Sequence, residues 1–496
     1  MVSPLTIPTL PVTPDERGDP DSEMTRLLCA GVRLDIGFAR QVIKVLLDDR
    51  DRFAAPAYGY DAVPVLGHAL DARTLRRTRI AALVPILIVL IELTAYGPID
   101  PISGILLCLW ATWLVVFIER LVALHNIVCH LKRPNGHGTG FHGEYPRSDL
   151  LPDEVARNIA QEQDPRTSLV YYGGYLPFVG AGDRTRNWAF TVLLDAAQTT
   201  LPAALGGPST GPTIAAAAEP FTVDELTTYV RERLATVLTT ESPDGQRIEQ
   251  LSIDRRWYRK AIGTRRPSPP PTELSAAEFR RTPNGPALYD SAREYLCVRV
   301  GTWDQELVTS VFLSFDLKGR MLYTELNAYV LPPIKPKYRL VDELPDGVGA
   351  SLLLRLGWHA TKGALLELVD MPVTAVRAIV SRLRRSGAER FEADDLTRYA
   401  RGIKDFGART SIRELAAVSA PRHFFQEIDA QKYIKIIERR LLEVVIDFLD
   451  AKKVDTREFR DRQANVLNVG VLNSGSGTVH TTGGLAVGSN ATAAAR

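Results

Sequence analysis

The sequence predicts an α+β protein: a two-helix transmembrane hairpin carrying a cytosolic α+β domain with an antiparallel meander, followed by a helical region and a short β-prone tail. Three observations predict it. Two long apolar runs lie close together in the first quarter of the chain, short β-prone runs with tight turns follow in the middle, and charge vanishes abruptly near the C-terminus. The boundaries expected are 1–78 for an N-terminal disordered and helical segment and 79–131 for the hairpin with an interfacial extension. The α+β domain takes 165–345, the helical region 349–462 and the uncharged tail 463–496.

Bulk composition conceals the hairpin, because 496 residues that are 45% hydrophobic and 24% charged, with a net charge of +2, resemble any globular protein. That balance gives no reason to expect a nucleic-acid partner, and no nucleic acid is expected. Cys29, Cys108, Cys129 and Cys297 form no CxxC pair, which suits a reducing compartment rather than a disulfide framework or a zinc ribbon. The first 24 residues are rich in Pro and Asp, without the pattern of a signal peptide, whereas Leu27 to Leu47 carries apolar residues at helical spacing and predicts one or two helices.

The runs Ile80 to Tyr96 and Ile102 to Ile118 are each about 17 residues, the lower limit for crossing hydrocarbon as a helix. Gly97-Pro98-Ile99-Asp100-Pro101 reverses the chain between them. Arg73, Arg76, Arg77 and Arg79 precede the first run, Lys132 and Arg133 follow the second, and the reversal holds no cation. The positive-inside rule therefore puts both termini in the cytoplasm of a cell-membrane protein, with the lipid bilayer as partner. The competing reading is a buried hairpin in a soluble core, but the second run lacks the polar stripe such a helix would show. Glu92, near the reversal, snorkels to the interface.

The extension after the second run carries His125, Cys129 and His130, with His137 and His142 just beyond. His125 and Cys129 share a helical face, as metal ligands do, which makes His125, Cys129 and His130 candidate metal residues against a default of histidines at a membrane surface. No cofactor is predicted.

In the domain, Ser168 to Tyr172 reads as a strand, Tyr175 to Gly182 as a Gly-rich loop and Trp188 to Leu194 as a second strand. That loop follows a strand, as phosphate-binding loops do, but without a helix N-terminus or a GK[ST] it reads as a structural turn. Thr222 to Val237 opens with the capping pattern Thr-Val-Asp-Glu, and Ile248 to Ile253 is strand-like. Glu294–Val300, Glu306–Phe315 and Arg320–Leu331, joined by short turns, make the meander, with helices expected on one face of the sheet. No catalytic motif is legible: no GxSxG or HExxH stands in an interpretable frame, no His lies between His142 and His359, and Glu294, Glu306 and Glu325 converge only if the strands bring them together.

Val376 to Ser386 reads as a basic helix. Ile428 to Leu449 carries Ile434, Ile437, Leu441, Val444, Val445 and Phe448 on one stripe, which fits core packing or helix association in an oligomer. In the tail, Leu467, Val469 and Val471 alternate and Val479 sits in a second β-prone piece. Uncharged Asn-, Gly- and Val-rich segments stack in register, so these four are the candidate self-assembly residues, against a disordered tail or a small docked β-arc.

From about residue 79 onward the order of parts resembles an uncharacterised family of actinobacterial membrane proteins with a two-helix hairpin. The resemblance is carried by Tyr175-Leu-Pro-Phe-Val-Gly-Ala-Gly182, Ser411-Ile-Arg-Glu-Leu415, Phe424–Asp429, Tyr433–Arg440 and the stretch from Asp447 to Phe459. It implies a bacterial inner membrane and no known activity. Val466 to Gly488 is similar in texture to bacterial amyloid signalling motifs. The expected function is a membrane-anchored, cytosol-facing scaffold or signalling protein that recognises a protein partner and forms homo-oligomers through its tail. The alternatives are an oligomeric membrane-perturbing effector and an enzyme in the 165–345 domain.

Overall fold

The computed structural model describes residues 22–49, 51–97, 100–132, 141, 143–164, 169–196, 198–200, 213–215, 218–241, 247–248, 250–263, 292–303, 306–344, 404–418 and 423–468. The basic helix expected at Val376 to Ser386, and the tail beyond Asn468, lie outside them.

The N-terminal periodicity resolves into α1 (Glu23–Leu34) and α2 (Ile36–Ile43), which widens into a π-turn at Lys44–Asp48. Ser22 caps α1 and Asp35 caps α2 through side-chain oxygens that accept from the first-turn N–H groups. The third helix, α3, runs unbroken over Ala62–Tyr96, so the boundary expected at 78/79 falls inside a helix. The physical reason is that Ala62 to Ala72 is itself apolar and packs with α1, α2 and the 3-10 turn Pro336–Val341 in a core of its own. The root of α3 is thus buried, whereas its outer half is not.

Helix α4 (Pro101–His130) returns antiparallel to α3. Asp100 caps it, Pro101 starts it, and Arg79 pairs with Glu119 at 2.7 Å across the base of the hairpin. Both helices are long and apolar enough to cross a membrane, and only 11% and 22% of their most apolar windows is buried. A core hairpin of a soluble protein would be covered; this one presents Ile91 and Ile105 at about 60% exposure.

After α5 (Asp153–Gln163) the chain builds a six-stranded mixed sheet in the order β1-β5-β7-β8-β9-β2. The strands are β1 (Leu169–Tyr172), β2 (Asp183–Leu193), β5 (Leu251–Lys260), β7 (Arg293–Thr302), β8 (Leu307–Lys318) and β9 (Met321–Leu331). The β7-β8-β9 meander is antiparallel, and β1 adds parallel to β5. Two small ribbons pair β3 (Gln198–Thr200) with β4 (Thr213–Ala215) and β6 (Ile262–Gly263) with β10 (Lys404–Asp405). β5 starts later than Ile248 and extends to Lys260, because its charges are paired on both faces of the sheet.

Helix α6 (Val223–Thr239), begun by the Thr222 cap, covers one face together with α8 (Phe424–Ala451). The stripe Ile434, Ile437, Leu441, Val444, Val445 and Phe448 is buried in this core, so packing on the sheet accounts for it. The expectation of helices on one face leaves out the other, which is covered too, by the 53–60 segment, the Gly-rich loop and the short helix α7 (Ile412–Ala416). Helix α9 (Arg457–Asn468) replaces the β alternation expected to begin at Leu467. Phe459, Val466 and Leu467 fall on one helical face against the sheet core, and Arg186 donates to the Val466 carbonyl at 2.8 Å.

Candidate functional site

The second sheet face concentrates polar and aromatic side chains. Period-2 alternation aims Asp254, Arg256 and Tyr258 of β5, Tyr295, Cys297 and Arg299 of β7, Phe312 of β8, and Glu325, Asn327 and Tyr329 of β9 to the same side. Phe178 from the Gly-rich loop plugs its aromatic half. Its ring stacks on Phe312 at 4.0 Å and meets the edges or faces of Tyr295, Tyr258 and Tyr329 at 4.9, 5.1 and 5.3 Å.

Arginines fill the other half. Arg256 is buried and donates to the Tyr58 hydroxyl at 2.6 Å and to Asp254 at 3.2 Å. Arg299 lies over the Tyr58 ring at 3.8 Å and donates to the Cys297 sulfur at 3.5 Å. Arg413 of α7 donates to the Tyr58 carbonyl at 3.1 Å. Three buried guanidinium groups thus converge on one tyrosine. Burial draws the Arg413 pKa down to about 10. Burial raises the Asp254 carboxyl, but Arg256 and Arg299 outweigh it and hold the group below its usual range. Among the described residues, the Arg299 Nε and the Tyr258 hydroxyl are buried without a hydrogen-bonding partner.

The Gly-rich loop is an anion cradle already filled. Gly180 and Gly182 adopt φ of 91° and 87°, which turns their N–H groups onto Glu414 Oε1 at 2.8 and 3.1 Å. The other oxygen accepts from the Ser411 N–H at 2.8 Å, and the Ser411 hydroxyl accepts from the Glu414 N–H, which completes a capping box. A carboxylate from the chain itself therefore stands where a phosphate-binding loop would hold its ligand. The structural-turn reading agrees with this arrangement.

Tyr58 connects the site to the hairpin. Three residues on, Asp61 caps α3 by accepting from Val63 N–H at 2.8 Å and from the Gln163 side chain at 2.6 Å, while Gln163 also accepts from Ala62 N–H. Ser22 donates to the Gly59 carbonyl at 3.0 Å. The tyrosine gripped by the sheet and the first turn of α3 form one hydrogen-bonded unit.

The residues expected from sequence fall elsewhere. Cys129 Sγ lies 3.7 Å from both ring nitrogens of His125, and His130 is exposed at the end of α4. Among the described residues, no group of three His, Cys, Asp or Glu side chains is arranged to hold a metal. Leu467 is helical, and Val469, Val471 and Val479 lie outside the described residues. Glu294, Glu306 and Glu325 do not converge: Glu294 binds Arg255 at 2.6 Å on the α6 face, Glu306 pairs with Arg339, and Glu325 accepts from Asn327 at 2.7 Å on the opposite face. Tyr58, Arg256 and Arg299 carry no local sequence signal, and Glu414, within the Ser411–Leu415 stretch that carries the family resemblance, has the Ser-x-x-Glu spacing.

Fold and site together define an α+β body with a polar-aromatic sheet face wired to an apolar helical hairpin. The chain belongs to the AbeC-like domain family, whose model matches residues 187–481. That stretch covers most of the sheet and α6 to α9, including Ser411–Leu415, but begins after the Gly-rich loop and the hairpin. No curated protein and no solved structure matches the chain.

Proposed function

We propose that this protein is a membrane-anchored scaffold or signalling protein of the bacterial inner membrane, with both termini and the α+β body in the cytoplasm. The observation that carries this reading is the continuity of α3. Its first turns are buried in the body beside Tyr58, and its outer turns present bare apolar surface together with α4. A helix built this way transmits the position of the body to the bilayer, or of the bilayer to the body. The cations around Arg76 and Lys132 favour the cytoplasmic side for the body. The uncharged segment beyond Asn468 would then supply self-association, with the polar sheet face or its surroundings recognising a protein partner.

A second reading rests on a purely apolar groove of about 470 Å³ between α3 and α4, lined by residues that include Pro85, Val89, Trp110 and Leu114. Hairpins packing through it would perturb the bilayer as an oligomer. Imaging of the full chain and a 465–496 deletion in bacterial cells, at matched expression, separates these readings. Tail-dependent membrane foci without depolarisation support the scaffold, depolarisation that requires the tail supports the effector, and uniform membrane signal from both chains overturns tail-driven assembly. Signal in the soluble fraction overturns the anchor.

A further inference from the structure

The body carries an aromatic patch that its own core does not use. Phe424 and Phe425 open α8 at 72% and 67% exposure, and Ile428 follows one turn later on the outward side. Trp303, at the β7-β8 turn with φ of 55°, joins them: its ring stacks on His423 at 6.3 Å and its indole N–H donates to Asp429 at 3.1 Å. Three large aromatics exposed together on a folded body mark a contact surface.

The patch connects through the fold to the base of the hairpin. Helix α1 runs alongside α3 in the same direction, since Ser22 reaches Gly59 and Arg33 pairs with Asp71 at 2.8 Å. The end of α1 that exposes Leu34 and the start of α2 that exposes Ile36 therefore point toward the apolar stem, and the charge of Asp35 acts on Arg76, one turn before Ile80. Asp35 accepts from Lys337 at 2.7 Å and from the Tyr338 hydroxyl at 3.3 Å; the next residue, Arg339, pairs with Glu306, whose N–H donates to the Trp303 carbonyl at 3.0 Å. Exposed aromatic rings, one of them an indole, with the cation Arg339 joined to them through Glu306, are the chemistry of the headgroup layer.

We propose that Trp303, Phe424, Phe425 and Ile428 form an interfacial foot that sits in the headgroup layer of the same phospholipid bilayer the hairpin crosses. This rests on the membrane-anchored reading above. Hairpin and foot then fix the body at two points and set its tilt on the membrane.

The test uses the full chain with Cys108 and Cys129 replaced by Ser, since Cys29 and Cys297 are buried. One reporter cysteine is added as Phe425→Cys, Ile105→Cys or Lys318→Cys, the last at the opposite end of the sheet. Each is labelled with an environment-sensitive fluorophore and reconstituted in phosphatidylethanolamine and phosphatidylglycerol vesicles with or without spin-labelled lipid. Emission at 425 and 105 should fall at least twofold with the quencher, and emission at 318 should not change. Quenching at 105 but not at 425 overturns the foot and leaves the anchor standing. Absence of quenching at 105 overturns the anchor, and the 425 probe then decides alone whether the patch meets lipid. Self-quenching at 425 that unlabelled chain relieves, without lipid quenching, assigns the patch to a second copy and overturns the foot.

Discussion

Arg299 of the sheet lies over the ring of Tyr58, 3.8 Å from its centroid, and Tyr58 stands three residues before the cap of the helix that becomes the hairpin. The side chain that most directly joins sheet and hairpin is therefore held by a cation–π contact and by the 2.6 Å hydrogen bond from Arg256. Because both arginines are buried, what they lose on substitution is not recovered from water.

Tyr58→Phe keeps the ring under Arg299 and removes one acceptor of Arg256, the 2.6 Å hydroxyl. Hydrogen bonds to buried charged groups are worth about 1.5–3 kcal/mol, so the variant should lose about 2 kcal/mol in denaturant unfolding of the full chain in mild detergent. Tyr58→Ala should lose more, because the stacked ring goes as well. Equal stability of Tyr58→Ala and the parent would show that the arginines are satisfied without this tyrosine.

Glu414 holds the Gly-rich loop from a distance of more than two hundred residues in sequence. Glu414→Ala leaves the Gly180, Gly182 and Ser411 N–H groups without their carboxylate, at about 1–3 kcal/mol for each group that stays dry. Proteolysis should then cut between Gly173 and Gly182 at least several-fold faster. Gly182→Ala should act in the same direction, since its φ is 87° and a Cβ would lie 2.6 Å from Leu331 Cα as well as against the Val330 carbonyl. A loop as resistant as the parent in both variants would show that Phe178 alone secures it.

These relationships also explain what the sequence could and could not reveal. The hairpin is legible because two long apolar runs need no partner to be recognised, and the meander because its core residues alternate between tight turns. β5 runs beyond the Ile253 end of the strand-like segment because charged residues such as Arg255 and Arg256 join a strand only where partners elsewhere in the fold pair them. Arg255 finds Asp224 and Glu294 on one face, and Arg256 finds Asp254 and Tyr58 on the other. Tyr58 lies 198 residues from Arg256 and 355 from Arg413. No local pattern encodes such a meeting. Leu467 was read as β-prone because alternation there runs on past Asn468, whereas Phe459 and Arg186 hold its own turn helical.

Phe178 makes a third prediction. Its ring touches four aromatic rings and is buried between loop and sheet, so Phe178→Ala should cost about 3–5 kcal/mol. Phe178→Leu should recover part of this, because volume is kept while ring stacking is lost. The check is the thermal midpoint of the two variants beside the parent. If Phe178→Ala melts with the parent, the loop is not a structural plug and the sheet face is free to take a ligand ring in its place.

The fourth prediction concerns acid. His68, in the root of α3, is fully buried; Arg33 Nε donates to its Nδ1 at 3.0 Å, so that nitrogen carries the lone pair, and its Nε2 faces the Glu144 carbonyl at 3.1 Å as the donor. Burial, and then the charge of Arg33, push the ring pKa down to about 3. In the unfolded chain the same ring titrates near about 6.5. Between those values the unfolded state binds a proton that the folded state refuses, so stability falls as pH drops through this window, by up to about 1.4 kcal/mol per pH unit. His68→Gln offers an oxygen to Arg33 and an N–H to Glu144 without titrating. Unfolding free energies measured from pH 7 to pH 5 should fall more steeply for the parent than for His68→Gln, and equal slopes would mean that the folded protein accepts the proton at His68 after all.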